Sequence, residues 1–287
     1  MSWVLSAFAD EAGSSCEEQI KALQRAGFAH IDIRGIDGFS IVALPVDKAW
    51  EIRRKLDDAG ITVNMFGSPI GKIDIADDFE TDLKKLRHLG ALIEPLGCRA
   101  VRLFSYYNKG KLPKDAWQAE SMKRLGALRD EAKKLGLVLY HENERHIFGD
   151  LCVDVLKLAA LRDGQSFKLI FDFDNYNQSG DDVWDNWLKL RDKTDAIHLK
   201  DSDKGNQHVP VGQGNGQVRK IMADAMARGW NGPLTLEPHL SHSKAVAATG
   251  PSGKANEQYA TMSQADSFHV AAQTAKKLLA EVGAVVK

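Results

Sequence analysis

Cysteine is scarce in this chain. Cys16, Cys98 and Cys152 are the three among 287 residues. The number is odd and no two sit at metal-finger spacing, which excludes a disulfide framework and a thiolate zinc module. Cys16 falls on a helical apolar stripe and Cys98 inside a strand, so buried, reduced thiols of a cytoplasmic protein are expected. No apolar run approaches the roughly 18 residues of a membrane span. The opening MSWVLSAFADEAG lacks a basic region and meets acid at Asp10 and Glu11. It reads as a first strand rather than a signal peptide. No block of like charge stands out, and 38 basic side chains against 39 acidic ones leave a net charge of −1. Neither nucleic acid nor a membrane is therefore indicated as a partner. Gly212, Gly214 and Gly216 lack the spacing of a dinucleotide fingerprint, and a flexible loop is expected there. Ser252-Gly253-Lys254 lacks the upstream glycine and the following Ser/Thr of a phosphate loop. No linker rich in Pro, Gly or Ser divides the chain, so residues 1–287 read as one domain.

What is present is a regular alternation. Short apolar runs near residues 3–8, 30–34, 61–66, 99–104, 137–141, 168–171, 196–199 and 234–236 read as strands. Helical stripes separate them: Cys16, Ile20, Leu23; Ala49, Ile52, Leu56; Leu83, Leu86; Met122, Leu125, Leu128, Ala132; Val153, Leu156, Ala160; Val183, Trp187, Leu190; Val218, Ile221, Ala225; and Phe268, Ala271, Ala275, Leu278. Strands alternating with helices imply parallel strands joined by right-handed crossovers. Eight units in this length predict a single (β/α)8 TIM barrel. An open doubly wound sheet is the alternative and would need a nucleotide fingerprint near the first strand. Ser241–Met262 is the one long irregular stretch, and it reads equally as a lid or as a surface excursion.

The last four strands end in Glu142, Asp172, His198 and Glu237. Parallel barrel strands converge at their C-terminal ends, so four residues distant in sequence can meet around one ion. Taken singly, a strand-end carboxylate serves equally as a helix cap or an ion-pair partner, and His198 as a core imidazole. Their joint appearance on four consecutive strands favours a shared divalent cation with oxygen and nitrogen ligands. Carboxylates favour Mn²⁺ or Mg²⁺, and the imidazole admits Zn²⁺ or Co²⁺. Lys200 either reaches into this site or pairs with Asp201 or Asp203. Arg34, Lys72 and Arg102 lie near other strand ends, where they hold an anionic group or form structural ion pairs. Phe66, Tyr106, Tyr107 and Phe148 either wall a sugar pocket or pack in the core.

His141-Glu142-Asn143, the D-x-x-N of Asp172–Asn175, the H-x-K-D of His198–Asp201, the V-G-x-G of Val211–Gly214 and Leu236-Glu237-Pro238 carry a resemblance. Together with Ser68–Lys72 they make the chain similar, over nearly its whole length, to the xylose isomerase-like TIM barrels of sugar phosphate isomerases and epimerases. The resemblance implies a metal held by Glu142, Asp172, His198 and Glu237. It implies that Glu142 and Glu237 also carry protons to and from a ketose or related polyol derivative through a cis-enediolate. The physical logic is independent of kinship: a Lewis acid stabilises the developing enolate oxygen, and carboxylates on opposite faces permit inversion. Asn175, Lys200, Lys204, Lys72 and Arg102 are the substrate-binding candidates, with a small carbohydrate as the partner and a homo-oligomer compatible with the sequence.

Two departures bear on substrate. Asn175 stands where many ketose epimerases have histidine and cannot carry a proton. Lys204 stands where an arginine is frequent. These differences keep open a lyase dehydrating a keto-polyol, in the manner of inosose dehydratase. A non-catalytic sugar-binding barrel is a further alternative. A nuclease like endonuclease IV would need more histidines and basic loops.

Overall fold

In the computed structural model, which describes residues 2–241 and 256–287, the alternation resolves into one barrel. Its strands are β1 (Leu5–Ala7), β2 (His30–Ile33), β3 (Thr62–Phe66), β4 (Ala100–Leu103), β5 (Val138–Glu142), β6 (Phe167–Asp172), β7 (Ala196–Leu199) and β8 (Leu234–Leu236). All pair in parallel, in the order β1-β8-β7-β6-β5-β4-β3-β2. At the seam between β1 and β2, Ser6 Oγ donates to Asp32 Oδ1 at 2.6 Å. The first apolar run is split: Ser2–Trp3 leaves the barrel and pairs with Val285–Val286.

The helices that follow the eight strands around the barrel are α1 (Cys16–Ala26), α2 (Val46–Asp58), α3 (Glu80–Ala91), α4 (Lys114–Leu135), α5 (Cys152–Leu158), α6 (Val183–Leu190), α7 (Val218–Ala227) and α8 (Gln264–Glu281), with shorter helices at Ile93–Leu96 and Phe173–Ser179. Their starts and stops follow local chemistry. Ser15 and Glu18 form a reciprocal capping box at the start of α1, satisfying two otherwise unpaired N–H groups. Gly27 and Gly136 end α1 and α4 in left-handed conformations that a side chain would strain. The apolar stripes face the barrel, with one change of phase. On α5 the buried face is Cys152, Val155 and Leu158, while Val153 is 58% exposed. All three cysteines are buried and unpaired.

Side-chain alternation fixes what lies inside the barrel. Met65, Tyr140, Ile170 and Ala196 form a small apolar cluster separate from the main core. Tyr140, Ile170 and Ala196 lie two residues before Glu142, Asp172 and His198, hence on the same strand face and one layer deeper. Thr235 stands in the same relation to Glu237 and Asp32 to Arg34. The Asp32 carboxylate accepts from Ser6, Asn64 and Thr235, so a buried hydrogen-bonded knot joins β1, β2, β3 and β8 below the mouth. The layer above holds Phe8, Arg34, Arg102, Glu142, Asp172, His198 and Glu237 by the same two-residue step.

Of the irregular stretch Ser241–Met262, residues 242–255 lie outside the described residues. Within the remainder, Glu257–Ala260 forms a short helix.

Candidate active site and metal centre

Register brings the four strand-end residues together. His198 lies opposite Asp172 on β6 and opposite Thr235 on β8. Glu142 lies opposite Ile170, two residues below Asp172, the stagger expected of tilted barrel strands. Glu237 follows β8 directly, its N–H donating to Leu199 O at 3.1 Å. One potential ligand atom from each of Glu142, Asp172, His198 and Glu237 falls within 4.8 Å of the others, and all four side chains are buried.

His198 Nδ1 faces the cluster, 2.8 Å from Glu142 Oε1 and 3.5 Å from Glu237 Oε2. Phe8 meets the imidazole edge to face at 5.6 Å and restrains its plane. Asp172 is held by its neighbour strand: its N–H donates to Asn143 Oδ1 at 2.9 Å, and Asn143 Nδ2 donates to its carbonyl at 3.1 Å. Asp172 Oδ1 caps the helix Phe173–Ser179 by accepting from Asn175 N–H. That leaves Oδ2 for the cluster. Glu142 Oε2, Asp172 Oδ2 and Glu237 Oε2 are all buried without a hydrogen-bond partner.

Burial and the neighbouring charges set the four groups apart. Burial pushes the Glu142 carboxyl up, but the His198 and Arg102 charges outweigh it and bring it down to about 2. Burial also opposes ionised Glu237, yet Lys200 and His239 hold it well below the usual range. Asp172 goes the other way: burial, with Glu142 and Glu237 nearby, raises it well above its ordinary value despite Lys200. His198 is lifted to about 10 because the Glu142 carboxylate overcomes the effect of burial. Burial thus favours the protonated form of Asp172, and the Glu142 carboxylate favours the protonated form of His198. A divalent ion would displace such protons and take up the buried oxygens that lack a hydrogen-bond partner, so this donor set fits one.

The structure sorts the remaining candidates. Lys200 reaches into the site, 3.2 Å from Asp172 Oδ2 and 3.8 Å from Glu237 Oε2. It is not paired with Asp201 or Asp203. Arg102 lies 3.2 Å from Glu142 Oε2, with its guanidinium over both Phe8 and Phe104. Asn175 is there too, but it accepts from Lys200 at 3.0 Å and donates to the Asn143 carbonyl at 2.8 Å, so its amide is engaged within the protein. Lys72 sits farther out, paired with Glu144 at 2.8 Å and over Phe104 at 4.3 Å. Lys204 is exposed on the turn between Asp201–Ser202 and His208–Val209, apart from the others. Phe66, Tyr106 and Phe148 belong to the core, so the aromatics against the site are Phe8 and Phe104.

The glycine stretch is tied down rather than free. Asp201 accepts from the N–H groups of Gly212, Gly214 and Gly216. A Cβ at Gly214 would come within 2.4 Å of both Asp201 Oδ1 and the Ser202 carbonyl. Glycine is what lets this backbone wrap the carboxylate.

Arg34, His239 and Glu11 had no signal beyond proximity to strand ends. Arg34 forks onto both Asp10 oxygens at 2.9 Å and reaches Glu237 Oε1 at 2.8 Å. His239 Nε2 lies 3.2 Å from Glu237 Oε1 and 3.5 Å from Glu11 Oε1. Glu11 was seen in the sequence only as an acid near the first strand.

Comparison with known proteins follows this geometry. Residues 20–261 match the sequence pattern of the xylose isomerase-like TIM barrel family. A probable 3-DHS dehydratase of Bacillus anthracis is 16% identical, with a TM-score of 0.71 over 96% of this chain and 99% of that one. The 3-keto-D-glucoside 4-epimerase of E. coli is 16% identical, with a TM-score of 0.66 over 95% and 99%. The D-allulose 3-epimerase of Methylomonas sp. is 15% identical, with a TM-score of 0.73 over 97% and 98%. At these identities the likeness is one of fold. Among curated proteins none matches in sequence.

Proposed function

This chain belongs to the xylose isomerase-like TIM barrel family, and from that premise we propose that it is a divalent-metal-dependent isomerase or epimerase acting on a ketose or related polyol derivative. One observation carries the reading: three carboxylates and an imidazole, from four consecutive strands, converge, and one buried oxygen of each carboxylate has no hydrogen-bond partner. Glu142, Asp172, His198 and Glu237 would hold the ion, Mn²⁺ or Mg²⁺ by their oxygens, with Zn²⁺ or Co²⁺ admitted by the imidazole. The bound ion would supply Lewis-acid stabilisation to charge developing on a substrate oxygen.

The protein's own groups perform the proton work. Glu142 and Glu237 are both held ionised, so either can accept the proton between carbonyl and hydroxyl, giving the enediol form of the substrate. The other takes up a proton from the solvent and delivers it to the opposite face of the enediol. Arg102 helps keep Glu142 low, Lys200 helps keep Glu237 low, and Arg34 orients Glu237 through a hydrogen bond to Oε1. Lys200, held by Asn175, offers a donor to a substrate oxygen, and Phe8 and Phe104 keep water from one side of the site.

Lys200 also favours a second reading. An ammonium fixed beside Asp172 and Glu237 can protonate a departing hydroxyl, which would turn the same first step into dehydration. A panel of ketoses in D₂O with Mn²⁺ tests the first reading. Deuterium should appear at a carbon beside the carbonyl with the absorbance spectrum nearly unchanged. A growing conjugated-enone band would favour the lyase, and absence of exchange with every ketose would count against the epimerase.

A further inference from the structure

Asp10 and Glu11, the two acids just past the first strand, are buried at the barrel mouth but lie outside the four-residue cluster. They sit on the turn Ala9–Glu11 that follows β1. Because β1 pairs with β8, that turn abuts the strand end that carries Glu237. Each acid reaches Glu237 by its own route.

Asp10 works through Arg34. Its two oxygens accept from Arg34 Nε and Nη2, both at 2.9 Å. Two parallel bonds fix the plane of a guanidinium as well as its position. The guanidinium also lies over the Phe8 ring at 4.8 Å. Nη1 is then aimed at Glu237 and donates to Oε1 at 2.8 Å. The other oxygen, Oε2, is turned toward the cluster, 3.5 Å from His198 Nδ1 and 3.8 Å from Lys200 Nζ. An arginine released by Asp10 could fork onto Glu237 instead and draw Oε2 away.

Glu11 works on the backbone. His239, two residues after Glu237, has a φ of 50°, a left-handed conformation uncommon for a residue with a side chain. Its N–H donates to Glu11 Oε2 at 2.7 Å. On the other side, the Glu237 N–H donates to the Leu199 carbonyl. The main chain is therefore tied at Glu237 and again at the turn that follows it.

We propose that Asp10 and Glu11 are positioning residues for Glu237. Asp10 occupies the fork of Arg34, so that the guanidinium grips Oε1 alone and leaves Oε2 to the cluster. Glu11 holds the left-handed turn that sets where the Glu237 backbone lies. The inference rests on the reading of the four-residue cluster as a cation site. Positioning and plain electrostatics differ in sign at Arg34. Removing a buried positive charge beside the cluster would by Coulomb attraction alone tighten cation binding, whereas losing a positioning contact weakens it.

The test is isothermal titration of the metal-free protein with Mn²⁺, with urea unfolding run on each variant to confirm the fold. Arg34→Gln and Asp10→Asn should each weaken binding by about 10–100-fold. Asp10→Asn placed in the Arg34→Gln background should add nothing, because Asp10 acts through Arg34. Arg34→Lys keeps the charge, loses the fork and should also bind weakly; it serves if Arg34→Gln fails to fold. Glu11→Ala should lose about 10–100-fold, and Glu11→Gln, which keeps an acceptor for the His239 N–H, should restore most of it. Unchanged or tighter binding in the Arg34 variants, or an equal loss from Asp10→Asn in both backgrounds, would overturn the role of Asp10. Wild-type affinity in Glu11→Ala, or a loss in Glu11→Gln as large as that expected of Glu11→Ala, would overturn the role of Glu11. Wild type that binds no Mn²⁺ would remove the cation site itself, and the positioning roles with it.

Discussion

Asn143 offers the sharpest test of how the site is held. Its carboxamide makes two buried hydrogen bonds, to the N–H and to the carbonyl of Asp172. Asn143→Ala removes both and leaves the Asp172 N–H of a buried strand end without its partner. Such a group costs about 1–3 kcal/mol, and the folded state should lose roughly that much. Urea unfolding of the metal-free protein measures this directly from the shifted midpoint at constant slope. The second effect is on the ion. Outer partners that orient a ligand typically contribute about 10–100-fold in metal affinity. Isothermal titration with Mn²⁺ should therefore show binding weakened by that factor in folded Asn143→Ala. Stability lost without any change in affinity would refute the argument that Asn143 aims Asp172 at a metal.

Other outcomes follow from the same geometry. Glu142→Gln and Glu237→Gln should each lower turnover by orders of magnitude in the deuterium-exchange assay, whereas a non-catalytic binding barrel would show no turnover to lose. Metal affinity should rise with pH, because His198, lifted to about 10 chiefly by Glu142 against burial, and Asp172, raised by burial, must each give up a proton to the solvent. Each proton released contributes about tenfold per pH unit below the pKa concerned, measurable as the slope of log Kd between pH 6 and 8. In the metal-free protein the sign is opposite. The raised His198 value contributes stability that is complete below pH 6.5 and lost as pH rises toward 10, visible in urea midpoints. Asp174→Ala should keep the thermal stabilisation that metal gives wild type, because Asp174 bonds Ser202, Gln178 and His208 rather than the cluster. Gly214→Ala should destabilise the chain by about 1–3 kcal/mol, since its Cβ would collide with backbone as well as Asp201.

Much of the barrel was legible because its pattern is redundant: apolar strands, helical stripes, and glycines at helix ends all point to the same alternation. The four converging ligands were legible for a related reason. A strand end is a defined place in a barrel, so a Glu, Asp or His there has a known neighbourhood. Residues whose function depends on a partner across the mouth were not. Glu11 and His239 lie at opposite ends of the chain, and only the β1–β8 pairing puts them side by side. Asn175 lies where expected, and its amide also meets Lys200 and Asn143, contacts that no one-dimensional pattern reveals. Lys204 was placed by counting from His198, and the intervening hairpin carries it into solvent. The glycines at 212, 214 and 216 read as flexibility until Asp201 was seen to collect their N–H groups. The stripe on α5 slipped in phase because a seven-residue helix gives too few apolar positions to fix its face.

The most direct measurement of the central claim is anomalous diffraction from crystals soaked in Mn²⁺, recorded on both sides of the metal edge. The account predicts an ion with Glu142, Asp172 and Glu237 oxygens and His198 Nδ1 at about 2.0–2.6 Å. An anomalous map with no ion touching these four side chains, from protein shown to be folded and soaked to saturation, would contradict it.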